Sequence, residues 1–202
     1  MIIGFLGAGI VAKTIAKHVL PLGHKVVLSN SRGPDSLGAL IDELGPGASA
    51  ATPRQATEQD LVVLAVNWSS VQAALFTIPD WKGRVLVDAT NRVAGLAPFT
   101  LGDISGRTSS EIVADLAPGA KVVKAFNSVP MSWISDFTSS KPRTVLFLSG
   151  DHGDAKKQVA DLVERVGLTA VDLGSLAVGG RLQQLGGPLA GIRLTFSERF
   201  TL

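Results

Sequence analysis

Ile2-Ile3-Gly4-Phe5-Leu6-Gly7-Ala8-Gly9-Ile10-Val11-Ala12 sets an apolar run directly before a Gly-x-Gly-x-x-Ala turn, and a helix-forming stretch follows. That order of strand, turn and helix is the one on which a dinucleotide's pyrophosphate rests. Gly7 permits the tight turn. Gly9 has no Cβ, so the backbone can approach the phosphates, and Ala12 is small enough for helix and strand to pack closely. Gly7, Ala8, Gly9, Ile10 and Val11 are therefore candidate cofactor-binding positions at a helix N-terminus.

The next strand, His24-Lys25-Val26-Val27-Leu28, ends in Ser29-Asn30-Ser31-Arg32. An acid at that end would accept hydrogen bonds from the adenosine ribose 2′-hydroxyl and repel a 2′-phosphate. Here a hydroxyl and a guanidinium stand instead. Arg32 can fork onto phosphate oxygens and Ser31 can donate a further bond. Asn30, Ser31 and Arg32 thus point to NADP(H) over NAD(H).

The chain has 202 residues, 46% of them hydrophobic, which suits one domain of ordinary size with a full core. A net charge of +2 without a Lys/Arg cluster argues against a nucleic-acid partner. The lack of cysteine excludes disulfides, thiolate catalysis and cysteine metal sites. No apolar run approaches the roughly 20 residues that span a bilayer. The apolar start also lacks the basic leader of a signal peptide. A soluble, cytoplasmic protein without a membrane partner is the expectation.

Strands are expected at 2–6, 25–29, 48–51, 61–66, 84–88, 122–125, 144–148 and 169–173, and helices at 11–20, 36–44, 69–76, 109–116 and 155–166. The helix at 69–76 is expected to open on a serine cap. Residues 95–107 read as a polar, Gly-rich excursion. This alternation implies an α/β fold: a doubly wound, mostly parallel Rossmann sheet in three layers. No linker divides the chain, so a single NADP-binding domain is expected over 1–202. Its core would be 1–175, and 176–202 a Gly-rich C-terminal extension suited to a homodimer interface. An extension this short leaves no separate substrate domain. The acceptor is then expected to bind on the Rossmann domain, or with help from a partner subunit.

Ligands of doubly wound sheets gather beyond the carboxyl ends of the strands. Those ends read Ala65-Val66-Asn67-Trp68, Asp88-Ala89-Thr90-Asn91, Ala125-Phe126-Asn127-Ser128 and Ser149-Gly150-Asp151. Three of them carry an asparagine. Its amide donates and accepts, which suits a nicotinamide carboxamide or a ribose, although asparagine also favours turns in its own right. Ala65, Val66, Asn67, Asn91 and Asn127 are the candidates for the nicotinamide end. His18, His24 and His152 read as ordinary surface. Asp88 is either a functional acid or the cap of the Thr90-Asn91 turn. Trp68 and Trp133 can stack on a flat ring, with packing as the plainer role, and Trp81 in its Pro-Asp-Trp-Lys turn reads as packing. No catalytic residue is assigned, and no metal-ligand or Gly-x-Ser-x-Gly spacing occurs. Hydride transfer needs neither, only two aligned carbons and the exclusion of water.

Gly7-Ala8-Gly9, Ser29-Asn30-Ser31-Arg32-Gly33-Pro34, Asp88-Ala89-Thr90-Asn91, Glu111-Ile112-Val113-Ala114 and Val123-Lys124-Ala125-Phe126-Asn127 recur in that order. Together they resemble the NADP-dependent oxidoreductases of the coenzyme F-420 (deazaflavin) reductase type, relatives of the reductase domain of the STEAP metalloreductases. The resemblance runs from Ile2 to about Leu185. It implies NADPH across the strand ends, its 2′-phosphate on Ser31 and Arg32, and a deazaflavin, where one is used, stacked on the nicotinamide. Deazaflavin-binding members often carry histidine where Asn127 stands, whereas the metalloreductase-like members carry asparagine.

The function expected is hydride transfer between NADP(H) and a flat small-molecule acceptor, a deazaflavin or a flavin. The alternative is an NADP(H)-binding sensor or regulatory protein without turnover. A reductase of small imines or ketones is disfavoured, because the chain ends before an added helical domain.

Overall fold

The computed structural model describes residues 1–76, 78, 80–133 and 142–196. In chain order the elements are β1 (Ile2–Leu6), α1 (Ile10–Val19), β2 (Lys25–Ser29), α2 (Gly38–Leu44), β3 (Ala48–Ala50), α3 (Pro53–Thr57), β4 (Leu61–Leu64), α4 (Val71–Phe76), β5 (Val85–Asp88), β6 (Val93–Leu96), β7 (Phe99–Leu101), α5 (Ser109–Leu116), β8 (Lys121–Lys124), β9 (Arg143–Gly150), α6 (Gly153–Arg165), β10 (Thr169–Asp172), α7 (Gly179–Gln183) and β11 (Thr195–Phe196). Short 3-10 turns lie between several of them.

The main sheet runs β10-β9-β8-β5-β4-β1-β2-β3, with β11 paired to β9. From β3 to β8 every pair is parallel. The side-chain period of two splits each central strand between two cores. Ile3, Phe5, Leu61, Val63, Val85 and Val87 join the side chains of α1, α2 and α6, while Leu6, Val62, Leu64 and Leu86 join those of α4 and α5. Helices therefore cover both faces. Burial on both faces is why these strands read as nearly unbroken apolar runs.

Four features depart from the sequence expectations. β9 pairs antiparallel with β8, Val123 opposite Gly150 and Lys124 opposite Ser149. The end Ser149-Gly150-Asp151 is thus at the opposite edge from the rim that β4, β5 and β8 share. A strand's apolar pattern reads the same in either direction, so the reversal left no mark. The excursion at 95–107 contains most of a hairpin, β6 against β7. α3 falls between the strands expected at 48–51 and 61–66, where no helix is expected. The helix expected to open on Ser69 instead follows a 3-10 turn, Trp68–Ser70, with Asn67 at its N-cap and no side-chain cap bond.

The C-terminal segment packs onto the sheet through α7 and β11; its last residues, 197–202, lie outside the described ones. β1 also has a constraint outside the nucleotide motif. A Cβ at Gly4 would stand 1.8 Å from the Ala56 carbonyl oxygen of α3. Backbone cannot yield there as a flexible side chain would, so Gly4→Ala is expected to cost about 2 kcal/mol through overpacking. The measurement is thermal unfolding, where the midpoint should fall by roughly 4–8 °C.

Candidate functional site

The turn after β1 is drawn tight by the backbone itself. Gly7 sits at φ +105° and its N–H donates to the Ser29 carbonyl at 3.0 Å. A Cβ at Gly7 would lie 2.2 Å from the Ala65 carbonyl oxygen, so this turn and the end of β4 are pressed together. Gly9 is different: a Cβ there would meet nothing within 4 Å and would stand in open space. That space is a groove along the carboxyl rim. α1 begins directly behind it, with no acidic residue in its first turn and no side-chain cap, so its N-terminal N–H groups are free for an anion.

Two adjoining hollows make up the groove, and they share Gly9, Ala65, Val66 and Asn67. One, of about 470 Å³, also takes in Gly7, Ala8, Asn30 and Ser31. The other, of about 550 Å³, takes in Ile10, Val11 and Asn91. Arg32 and Asn127 are the two sequence candidates outside both linings. Arg32 is exposed at the edge, and its guanidinium has no partner among the described residues. Asn30 shapes the loop that carries it. The Asn30 Oδ1 accepts from Arg32 N–H at 2.9 Å and its Nδ2 donates to Ser36 Oγ at 2.9 Å. The Asn67 amide is exposed and has no side-chain partner among the described residues.

Several lining positions escaped the sequence reading. Pro53 enters from α3, whose start has a legible signal: Thr52 and Gln55 form a capping box, Thr52 N–H to Gln55 Oε1 at 3.0 Å. Val93, Ala94, Gly95 and Leu96 come from the hairpin. Trp68 lines the larger hollow and packs against the hairpin base, where a Cβ on Gly102 would lie 2.5 Å from its Nε1. Trp133 packs partly buried against the core, and Trp81 is fully buried; Pro79 of its turn lies outside the described residues.

Beneath the larger hollow sits a buried ion pair. Asp88 and Lys124 are opposite one another on β5 and β8, both at 0% exposure, with Nζ 3.0 Å from Oδ2. Oδ2 also accepts from Ser110 Oγ, and Oδ1 accepts from the N–H and hydroxyl of Thr90 at 2.9 and 2.7 Å. Lys124 Nζ donates again to the Thr90 carbonyl at 3.1 Å. Burial alone would raise the Asp88 pKa, but the Lys124 charge and these hydrogen bonds hold it below its ordinary value. A carboxylate so engaged is no acid for substrate. Asp88 fulfils the second sequence expectation, the turn cap, and joins it to an ion pair.

Asn127 is also buried, and its amide is taken up by Gln183 and Asn91. The neighbouring Phe126 has φ +61°, a strained value for a bulky residue. Of the histidines, His24 is buried at the amino edge of the sheet, contrary to the surface expectation, where its Nδ1 meets the N-terminal ammonium at 3.3 Å. Burial, then the ammonium and Arg165, lower its pKa. His18 lies along α1 and His152 is exposed before α6, so no histidine reaches the groove.

Fold and groove together define a dinucleotide-binding protein of the Rossmann type. Residues 2–92 match the model of the family described as NADP oxidoreductase, coenzyme F420-dependent. A solved structure of a hypothetical protein, SMa0349 from Sinorhizobium meliloti, is 38% identical with a TM-score of 0.90, covering 98% of this chain and 96% of that one. A putative F420-dependent NADP-reductase from Arthrobacter sp. FB24 is 29% identical with a TM-score of 0.75, over 86% and 85%. Rat metalloreductase STEAP3 is 28% identical over 177 residues, 87% of this chain. The chain spans about a third of the length of the curated relatives it matches. It belongs to the F420-dependent NADP oxidoreductase family, whose model it matches over residues 2–92. Among the described residues, no helix is long and apolar enough to cross a membrane.

Removing one partner of a buried pair strands the other charge, at a cost of about 3–5 kcal/mol. Lys124→Met is therefore expected to be strongly destabilised at neutral pH. In the wild type the depressed Asp88 pKa contributes stability above the ordinary aspartate value of 3.8, lost as pH falls through the lower folded value. In Lys124→Met the sign reverses, because buried Asp88 then prefers its proton, and the deficit shrinks on acidification. Urea unfolding of both proteins from neutral pH to pH 4 measures this. A deficit independent of pH would mean the carboxylate has found another counter-charge.

Proposed function

We propose that the groove holds NADPH with its pyrophosphate over Gly7, Ala8 and Gly9 at the N-terminus of α1, and its 2′-phosphate on Ser31 and Arg32. Asn30 sets the loop that presents those two residues. Ala65, Val66 and Asn67 lie under the middle of the cofactor, with Ile10, Val11 and Asn91 around the nicotinamide. Asn127 acts from behind Asn91. The residues fit the group: Gly9 leaves the space a Cβ would fill, and the free N–H groups of α1 complement an anion. The Arg32 guanidinium is free to take a phosphate, and no acid lines the smaller hollow to repel one.

The acceptor proposed is a flat redox ring, a deazaflavin or a flavin. One observation carries this choice. The larger hollow, from Gly9 to Leu96, is lined by no titratable side chain. NADPH supplies a hydride from its nicotinamide ring. The chain's part is to orient and to exclude water: Asn91 for the carboxamide, and Ile10, Val66, Val93 and Leu96 as apolar walls. A flat ring that accepts hydride at carbon or nitrogen and takes its proton from solvent needs no acid here. Trp68 lines the same hollow.

Loss of a charge-assisted bond to phosphate weakens binding by about 10- to 100-fold. Arg32→Ala should lose that much affinity for NADPH and almost none for NADH, measured by fluorescence titration. Equal loss for both would remove Arg32 from the 2′-phosphate. Stopped-flow oxidation of bound NADPH by FMN, a deazaflavin and ferric chelates tests the acceptor. Tight NADPH binding without acceptor-dependent oxidation would favour a sensor instead.

A further inference from the structure

The segment after β10 brings a side chain to the site that the hydride-transfer scheme leaves unused. Gln183 ends α7, is buried at 0% exposure, and sits against the end of β8 and the middle of β9. Its Nε2 faces three oxygens: the carbonyls of Lys124 at 3.2 Å and Phe147 at 3.5 Å, and Asn127 Oδ1 at 3.0 Å. Backbone carbonyls only accept, so this end of the amide is the NH2.

That polarity passes along. Asn127 turns its oxygen to Gln183, and its Nδ2 donates to the Gln183 carbonyl at 2.9 Å and to Asn91 Oδ1 at 3.4 Å. Asn91 Nδ2 donates to the Asn127 carbonyl at 3.0 Å. Turning over any one of the three amides would set like against like. Among the described residues Asn91, which lines the groove, is left with one free N–H and a free lone pair on its oxygen. A carboxamide needs that complement.

We infer that Gln183 is a positioning residue for the nicotinamide end, fixing the Asn127 amide and, through it, the face that Asn91 presents to the cofactor. This rests on the NADPH reading above. A packing role alone would be served as well or better by methionine. Gln183 Oε1 is buried without a partner among the described residues, a cost an apolar side chain of similar length does not carry. The C-terminal segment is therefore part of the site.

The test is calorimetric titration of the full chain with NADPH and with 2′,5′-ADP, which keeps the adenosine end and lacks the nicotinamide. Gln183→Met is expected to bind NADPH about three- to tenfold more weakly while holding 2′,5′-ADP as the wild type does. Added to Asn91→Ala, it should cost nothing further, because its effect runs through Asn91. Gln183→Glu is a second, isosteric variant that sets oxygen against the three oxygens, and should weaken NADPH at least as much. Unchanged NADPH affinity in either folded variant, equal weakening of both ligands, or an additive loss in the double variant would overturn the role of Gln183. A wild-type chain that binds neither ligand would overturn the NADPH reading itself, and this inference with it.

Discussion

The Asp88–Lys124 pair is the constraint on which the functional rim depends. Two adjacent parallel strands end in opposite charges on the same face, and both charges are wholly out of water. Compared with well-packed apolar residues, such a pair adds little net stability. Its consequence is geometric. Asp88 fixes the Thr90 turn through two bonds and Lys124 fixes the same residue through its carbonyl, so the chain must leave β5 in one direction. Asn91 follows immediately, and Ser110 ties the start of α5 to the same carboxylate. One buried charge pair thereby registers β5, β8, α5 and the loop bearing the groove's central amide.

A second layer of polar contacts rests on the first. Lys124 contributes its ammonium to Asp88 and its carbonyl to Gln183, so one residue links the ion pair to the chain of amides. The strained Phe126 backbone lies between these contacts and Asn127. Strain of this kind persists where the surroundings over-determine a conformation, and here both neighbouring elements do so.

What the sequence made legible was local. The β1 turn announces itself because Gly7 needs a positive φ and Gly9 needs open space, and both demands are met within a few residues. The buried strands were visible because burial on both faces writes an apolar run. Ser31 and Arg32 follow from a strand end counted along the chain. Everything that depends on pairing across the sheet was hidden. The direction of β9 is set by its partner and by no residue of its own. Lys124 gives no local sign of an ion pair, because its partner Asp88 is placed opposite it only by the pairing of β5 with β8. The three asparagines read alike at the strand ends but differ in setting: among the described residues Asn67 faces the groove without a side-chain partner, Asn91 lines it and bonds Asn127, and Asn127 is buried behind. Gln183 lay in a Gly-rich tail that carries no periodicity, so nothing local could assign it.

The neutrality of the larger hollow has a consequence for the direction of the reaction. Hydride transfer out of NADPH leaves a cationic nicotinamide, and transfer into NADP consumes one. A carboxylate beside the ring would favour the oxidised form, and an ammonium the reduced form. Here the buried charges Asp88 and Lys124 compensate each other at 3.0 Å, and the walls carry amide, hydroxyl, indole and hydrocarbon groups but no charge. On the proposed reading the site therefore tilts the equilibrium little either way. The acceptor's own potential and the relative supply of NADPH and NADP then decide the direction of flow, and the protein's contribution is confined to alignment and dryness.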